Sequence, residues 1–322
     1  MTTKRLNVLK AQPALLFSLT CSLLAACSGG SSGSSPQADL SFNKVGIVDI
    51  RDTRWRGKSA ILADTPQGRN VSVYGKFVNT TFSDTQSLWR SYALQGITAL
   101  EYDECATFDS FEELVYQTYP GIGRVELYDI TSVPGSEISA GSAIGVSTDL
   151  QDIGFELTRG EGYTDAVSAE LSGLYNDVSG YEDSPNFPED LGLSLRIPGD
   201  EFPAYSSSFF PELSFVASQA SIDSMNSIAV GDTLYWEPAS EKATVIAWFE
   251  SEQTVNANAP LICRLRNDGA FTLTESIRTL YDAMSIEADF DFIRLQQIVL
   301  AERQVNDSLM IVRRTSTDIL EF

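Results

Sequence analysis

The 322-residue chain contains no histidine. This absence excludes Ser-His-Asp and Cys-His catalysis, histidine-ligated zinc or iron, and proton transfer by an imidazole. The enzyme class that remains is one driven by a pair of carboxylates, such as a glycosidase. With 44 acidic residues, however, carboxylate pairs occur along the whole chain and identify no site. We therefore expect a non-catalytic protein without a cofactor, with a carbohydrate-binding or carboxylate-dependent carbohydrate-active protein as the alternative.

Cysteine is scarce as well, because the chain has four. Two lie in the apolar N-terminal region, which leaves Cys105 and Cys263 for the rest of the chain. Two cysteines are too few for a structural zinc site, and the acidic loops lack the spacing of a calcium loop, so we expect no metal site. An oxidising compartment would permit a disulfide between Cys105 and Cys263. The alternative is that each is a buried, unpaired thiol.

Basic residues are half as numerous as acidic ones, 22 against 44, and the formal net charge is −22. Such a charge opposes nucleic acid, which is bound through lysine and arginine, so we expect no nucleic-acid partner. The exception is a basic cluster around Trp55, formed by Arg51, Arg54, Arg56 and Lys58. It predicts either a contact with an anionic partner or a solvated strand edge whose charges neutralise nearby acids.

The N-terminus combines positive charge with a short apolar stretch. Lys4, Arg5 and Lys10 precede residues 14–26, which are almost wholly apolar. The stretch is shorter than the roughly 20 residues that a membrane-spanning helix needs. Positive residues before a short apolar segment are typical of a signal peptide, which we place at residues 1–26.

The end of this stretch contains a short motif, Leu24-Ala25-Ala26-Cys27. It resembles the lipobox of bacterial lipoproteins at all four positions. The resemblance implies cleavage before Cys27, acylation of that cysteine, and anchoring in a lipid bilayer. Ser28 rather than aspartate follows the cysteine, and by analogy with lipoproteins of double-membrane bacteria this implies delivery to the outer membrane.

Glycine and serine dominate the residues after Cys27, through residue 35. Such a composition cannot build a core and is typical of a flexible linker. We therefore expect residues 27–40 to be a disordered tether between the lipid and a folded body.

Alternation of apolar and polar residues is the dominant pattern beyond the tether. It predicts strands at 71–78 and 191–197, and a near-continuous apolar run predicts a buried strand at 243–249. Trp248 lies in this last run, and both Trp248 and Trp236 are expected in the core. The class that follows is all-β, with one or two β-sandwich (Ig-like) units: an N-terminal unit at 41–200 and a C-terminal unit at 201–322.

Turn residues refine this prediction. Asn267-Asp268-Gly269 predicts a hairpin between strands at 261–265 and 271–273, and Asn306-Asp307 predicts another between 298–305 and 309–313. A single clear amphipathic helix is predicted at 275–284, with a shorter one after Asp109. We also predict a strand at 97–102, before Cys105.

The last part of the chain carries a second resemblance. Its motifs are IPGDEFPAY from residue 197, LYWEP from residue 234 and ICRLRNDGAFTL from residue 262. They are similar to a pattern in uncharacterised exported bacterial β-sandwich proteins. The resemblance implies a fold and no activity. The sequence as a whole thus predicts a membrane-anchored envelope lipoprotein with a binding or structural role, whose partner is an envelope protein or a polysaccharide.

Overall fold

The computed structural model describes residues 42–57, 69–80, 86–118, 135–148, 154–159, 175–176, 193–209, 229–237, 242–250, 261–283 and 292–321. Strands dominate these residues, and the all-β prediction is confirmed. The strands are β1 (Lys44–Gly57), β2 (Arg69–Asn79), β3 (Glu104–Thr107), β4 (Ser136–Glu137), β5 (Ala143–Thr148), β6 (Gly154–Arg159), β7 (Tyr175–Asn176), β8 (Leu193–Ile197), β9 (Tyr205–Phe209), β10 (Thr233–Tyr235), β11 (Thr244–Glu250), β12 (Leu261–Leu265), β13 (Ala270–Thr272), β14 (Phe292–Val305) and β15 (Ser308–Glu321). The helices are α1 (Gln86–Ala93), α2 (Phe108–Thr118) and α3 (Glu275–Ala283).

One large sheet contains thirteen of the described strands. Its order is β3-β12-β11-β14-β15-β1-β2-β7-β6-β5-β8-β9, and β4 pairs with β2 beside this path. β1 and β15 form a parallel pair from Lys44 opposite Ser308 to Gly57 opposite Glu321. The other described pairs of this sheet are antiparallel. The first and last strands of the body therefore lie side by side at the middle of the sheet.

Successive side chains of β1 point to opposite faces, because a strand has a two-residue period. We call the face that carries Val45 and Ile47 face A, and the face that carries Val48 and Ile50 face B. Both sets are buried, and they belong to different hydrophobic clusters. β1 thus has hydrophobic packing on each side, which accounts for its apolar start.

Helices α1 and α2 cover face A. Trp89, Tyr92 and Ala93 of α1 pack with Val45 and Ile47 of β1. Further along the sheet, Phe111 and Val115 of α2 pack with apolar residues of the neighbouring strands: Ile246, Trp248, Ile262 and Ile298. The burial of Trp248, and of Trp236 elsewhere, confirms their prediction as core residues.

Face B is covered partly by the segment between β8 and β9. The ring of Phe202 packs edge-on against Phe77 of β2, with 4.9 Å between the ring centroids. Gly46 of β1 lies beneath both rings, and a Cβ atom there would be 2.6 Å from Phe77 and 3.0 Å from Phe202. Only glycine leaves room for this contact. The predicted boundary at residue 200 falls in this segment, between two strands that pair with each other.

The Asp-Gly hairpin prediction is wrong. β12 and β13 flank Asn267-Asp268-Gly269 but do not pair, because β12 pairs with β11 and β3 while β13 pairs with β10 in a second sheet. Phe271 and Leu273 pack instead in the cluster that holds Leu265. The chain after β12 therefore leaves the large sheet and packs Phe271 and Leu273 against it.

The other local predictions have mixed outcomes. The hairpin at Asn306-Asp307 is confirmed as β14–β15, and the helix at 275–284 is confirmed as α3. The helix predicted after Asp109 is present as α2, but it begins one residue earlier, at Phe108, and is longer than α3; its start is capped by Thr107, whose Oγ1 accepts the N–H of Ser110 at 3.4 Å. The predicted strand at 97–102 is wrong, because Ile97–Ala99 is a 3-10 helix.

Within the described residues, no helix has the length and apolar character needed to cross a membrane.

Candidate functional site

The centre of the sheet carries charged side chains where a core would ordinarily be apolar. After Ile47 and Val48, β1 continues as Asp49, Ile50, Arg51, Asp52, Thr53 and Arg54, and the facing part of β15 reads Arg313, Arg314, Thr315, Ser316, Thr317 and Asp318. We call residues 49–54 and 313–318 the charged belt. Parallel pairing brings the two segments together, although more than 250 residues separate them in sequence.

The face A half of the belt centres on Asp49, which is fully buried. Arg313 binds its carboxylate through two bonds: Nε donates to Oδ1 at 2.8 Å, and Nη2 donates to Oδ2. Nε of Arg51 donates to the same Oδ2 at 2.5 Å, and the hydroxyl of Thr315 donates to Oδ1 at 3.5 Å. Nη1 of Arg313 donates to the carbonyl of Ala93 at 3.3 Å, which ties the belt to the end of α1.

The pKa of Asp49 reflects two opposing effects. Burial raises the pKa of its carboxyl, because a carboxylate loses hydration in the interior. The positive charges of Arg313 and Arg51, with their hydrogen bonds, more than offset this and hold the pKa below its ordinary value. Asp49 is therefore an ionised acceptor, and its oxygens are occupied by donors from its own fold.

The face B half of the belt contains a second group of charges. Nη2 of Arg54 lies 3.4 Å from Oδ2 of Asp52. Asp52, Arg314, Ser316 and Asp318 are also buried. Two acids and two arginines balance in formal charge, as buried charges require. The belt as a whole contains three acids and four arginines, because Asp49 is shared by Arg313 and the part-exposed Arg51, and it has the chemistry of a structural network at the seam of the fold.

The predicted basic patch falls into two parts, one inside the belt and one outside the described residues. Arg51 and Arg54 lie in the belt, paired with Asp49 and Asp52. β1 has β15 on one side and β2 on the other along residues 44–54, so Arg51 and Arg54 do not lie on a strand edge, although they do neutralise nearby acids. The backbones of Trp55 and Arg56 belong to β1, but their side chains, like Lys58, lie outside the described part of the structure.

The two predicted disulfide partners lie opposite each other on β3 and β12. The structure joins Cys105 and Cys263 by a disulfide bond, with their Cα atoms 4.0 Å apart. Cys263 is fully buried in the cluster of Val245, Leu261 and Leu265, and Cys105 packs against it. The bond attaches the four-residue strand β3 to the sheet.

A further perturbed carboxyl lies near the end of β11. Burial raises the pKa of Glu250, and the neighbouring Arg294, whose Nη2 donates to Oε2 at 3.1 Å, offsets this only in part. No group of three or more cysteine, aspartate or glutamate side chains among the described residues has the geometry of a metal site. The predicted lipobox, Leu24, Ala25, Ala26 and Cys27, lies outside the described residues.

Comparison of the chain with protein-family models, with curated proteins and with solved structures finds no match. Both resemblances noted in the sequence therefore stay predictions.

Sequence reasoning missed Asp49 and Arg313 as a pair. The available signal was an isolated acid within the apolar run Ile47-Val48-Asp49-Ile50, since a strand with hydrophobic packing on both faces has no ordinary place for a charge. A buried acid demands a cation, but the sequence does not say which arginine supplies it.

Proposed function

We propose that the protein is a lipid-anchored bacterial envelope protein whose β body has a non-catalytic binding or structural role. The observation that carries the proposal is the succession of three features in the sequence: a positively charged apolar leader, the motif Leu24-Ala25-Ala26-Cys27, and a glycine- and serine-rich segment. A diacylated cysteine, with a third chain on its amino group, supplies enough buried methylene groups for stable anchoring. The segment at 27–40 then gives the body reach from the bilayer.

The disulfide supports this location. Disulfides persist in oxidising compartments outside the cytoplasm and are rare inside it. A bond between Cys105 and Cys263, with one partner fully buried, is consistent with export. Ser28 after the cysteine supports the outer membrane as the destination.

Asp49, the buried acid at the centre of the belt, favours a non-catalytic role over the carbohydrate-active alternative. A glycosidase needs one carboxyl that donates a proton and a second that acts as base or nucleophile beside the sugar. Asp49 has a lowered pKa and accepts from Arg313, Arg51 and Thr315. Such a group binds its own fold rather than a substrate.

Metabolic labelling with an alkyne fatty acid tests the anchor. The wild-type chain should acquire the label, and Cys27→Ala should lose it, because the acylated sulfur is gone. Cys21→Ala, in the same apolar stretch but outside the motif, should keep the label. Equal labelling of wild type and Cys27→Ala would refute the proposal.

A further inference from the structure

An exposed tyrosine lies in the turn that leads into β3, which is the last strand at one end of the described sheet. Tyr102 is 52% exposed, one of the few large apolar side chains at the surface among the described residues. A single exposed aromatic is ordinary in itself. The rigidity of this turn is what distinguishes Tyr102.

Backbone and side-chain bonds fix the turn on both sides of the tyrosine. The N–H of Asp103 donates to the carbonyl of Arg264 at 2.6 Å, and its Oδ1 accepts the N–H of Arg266 at 3.1 Å. Glu104 Oε2 accepts the N–H of Glu101 at 2.7 Å. Asp103 has φ of 64°, a left-handed conformation that a non-glycine residue adopts at a cost. The fold therefore holds this turn in one strained conformation.

Arg264 supports the ring from below. Its guanidinium carbon lies 4.1 Å from the centroid of the Tyr102 ring, and its Nη1 donates to the carbonyl of Leu100 at 2.6 Å. The preceding residue, Cys263, is bonded to Cys105. One face of the ring is thus covered by a cation that a hydrogen bond holds in place, so a ligand would stack on the opposite face. A rigid aromatic surface offers contact area with little loss of conformational entropy on binding.

The surroundings of the ring restrict the ligand. Its sequence neighbours Glu101, Asp103 and Glu104 are exposed, and Arg266, which pairs with Asp103 at 3.0 Å, offsets one of their charges, so the turn keeps an excess of negative charge that opposes phosphate and other anions. A cation over the open face would be repelled by the guanidinium of Arg264 across the ring. An extended apolar partner would find carboxylates beside the ring. A neutral ligand with one flat apolar face and a hydroxyl-bearing edge fits all three constraints, since carboxylate oxygens accept from hydroxyl groups.

We infer that Tyr102 is the stacking platform of a binding site for a neutral sugar ring, with Glu101 and Glu104 as acceptors for its hydroxyl groups. A carboxylate has lone pairs for several donors, so Glu104 can accept from a hydroxyl while it accepts the N–H of Glu101. The inference rests on the binding role proposed above, and it does not depend on the lipid anchor.

Native gel electrophoresis of the full chain in nonionic detergent tests the site. The gels contain one neutral polysaccharide each (dextran, mannan, galactomannan or a β-1,3-glucan) or the anionic polygalacturonate. At least one neutral polysaccharide should retard the wild type, and Tyr102→Ala should weaken that binding about tenfold or more, equal to 1.4 kcal/mol of lost contact. Tyr102→Phe, which keeps the ring, should bind like the wild type, and Tyr102→Leu should not.

Tyr116 on α2 provides the matched control, because it is 56% exposed. Tyr116→Ala should leave the retardation unchanged. A wild type that no neutral polysaccharide retards, a Tyr102→Ala variant that is retarded as strongly as the wild type, or retardation by polygalacturonate alone would each overturn the inference. Cys27→Ala should still be retarded by the polysaccharide. Loss of fatty-acid labelling therefore tests the lipid anchor, and loss of retardation tests the sugar site.

Discussion

The buried pair of Asp49 and Arg313 makes a quantitative prediction about stability. Asp49→Asn removes the negative charge and leaves Arg313, whose side chain is 5% exposed, without its counter-ion. Removing one partner of a buried ion pair costs about 3–5 kcal/mol, because the remaining charge is desolvated and uncompensated. We expect a loss of this size in the free energy of unfolding.

Asp103→Asn is the matched control. Asp103 pairs with Arg266 at 3.0 Å, but these side chains are 40% and 64% exposed, and an exposed pair contributes about 0–1 kcal/mol. Urea unfolding of the full chain, followed by tryptophan fluorescence, gives both values from the shift in the free energy of unfolding. The double variant Asp49→Leu, Arg313→Met should recover part of the loss, because it removes both buried charges.

The result that would refute this reasoning is a free-energy change for Asp49→Asn no larger than that for Asp103→Asn. Such a result would mean that the charged belt is hydrated in the folded protein. The pH dependence provides a second check on the same residue. Since the folded pKa of Asp49 is lowered, the stabilisation it supplies is complete above the ordinary aspartate pKa and is lost as the pH falls through the folded pKa.

Two further predictions concern Glu250 and the cysteines. Burial raises the pKa of Glu250 in the folded state, so the free energy of unfolding should fall as the pH rises from the ordinary glutamate pKa through this raised value. Glu250→Gln should flatten that decline, as read from urea midpoints measured at a series of pH values. A steeper decline in the variant would contradict the assignment. Cys105 and Cys263 should resist alkylation in denatured, unreduced protein and should react after reduction, as measured by intact mass. Reduction should lower the free energy of unfolding by at most about 5 kcal/mol, which is the chain-entropy limit for a loop of this length. Alkylation of both Cys105 and Cys263 before reduction, with Cys27 excluded from the count, would contradict the disulfide.

Local pattern predicted the strands that have one clear periodicity. The apolar run at 243–249 corresponds to β11, and the alternation at 191–197 contains β8. In such segments the spacing of apolar residues directly reflects which faces of the strand are buried. The helix at 275–284 is α3 for the same reason, since its buried Ile277 and its neighbour Leu280 share one face. Where apolar period and local propensity agreed, the prediction was correct.

Pairing between distant strands was not predictable from local pattern. Asp268-Gly269 is a strong hairpin signal, yet β12 takes β3 and β11 as partners because Cys263 and Leu265 must be buried with residues far along the chain. The parallel pair of β1 and β15 has no local signature at all. The charged belt forms only because these two strands pair. Its residues could be recognised in the sequence as a basic cluster and an isolated acid, but the network that they form could not be predicted.

The candidate role of Tyr102 could not be predicted from the sequence either. Nothing local distinguishes it from other tyrosines, and the predicted strand at 97–102 would have buried alternate side chains there. Its exposure depends on the turn that Asp103 adopts, and its support depends on Arg264, which belongs to a different strand. Sites built from a strained turn and a distant side chain need the tertiary fold to be recognised.

The central claim of this account is the acylated N-terminus, and mass spectrometry of one peptide tests it most directly. Trypsin cleaves after Lys10 and Lys44, with no lysine or arginine between them, so the processed protein should yield a peptide of residues 27–44. We predict that this peptide begins at Cys27 and carries a diacylglyceryl group on sulfur and an acyl chain on its amino group. An unmodified peptide of residues 11–44, or one that begins at any residue other than Cys27, would contradict the claim.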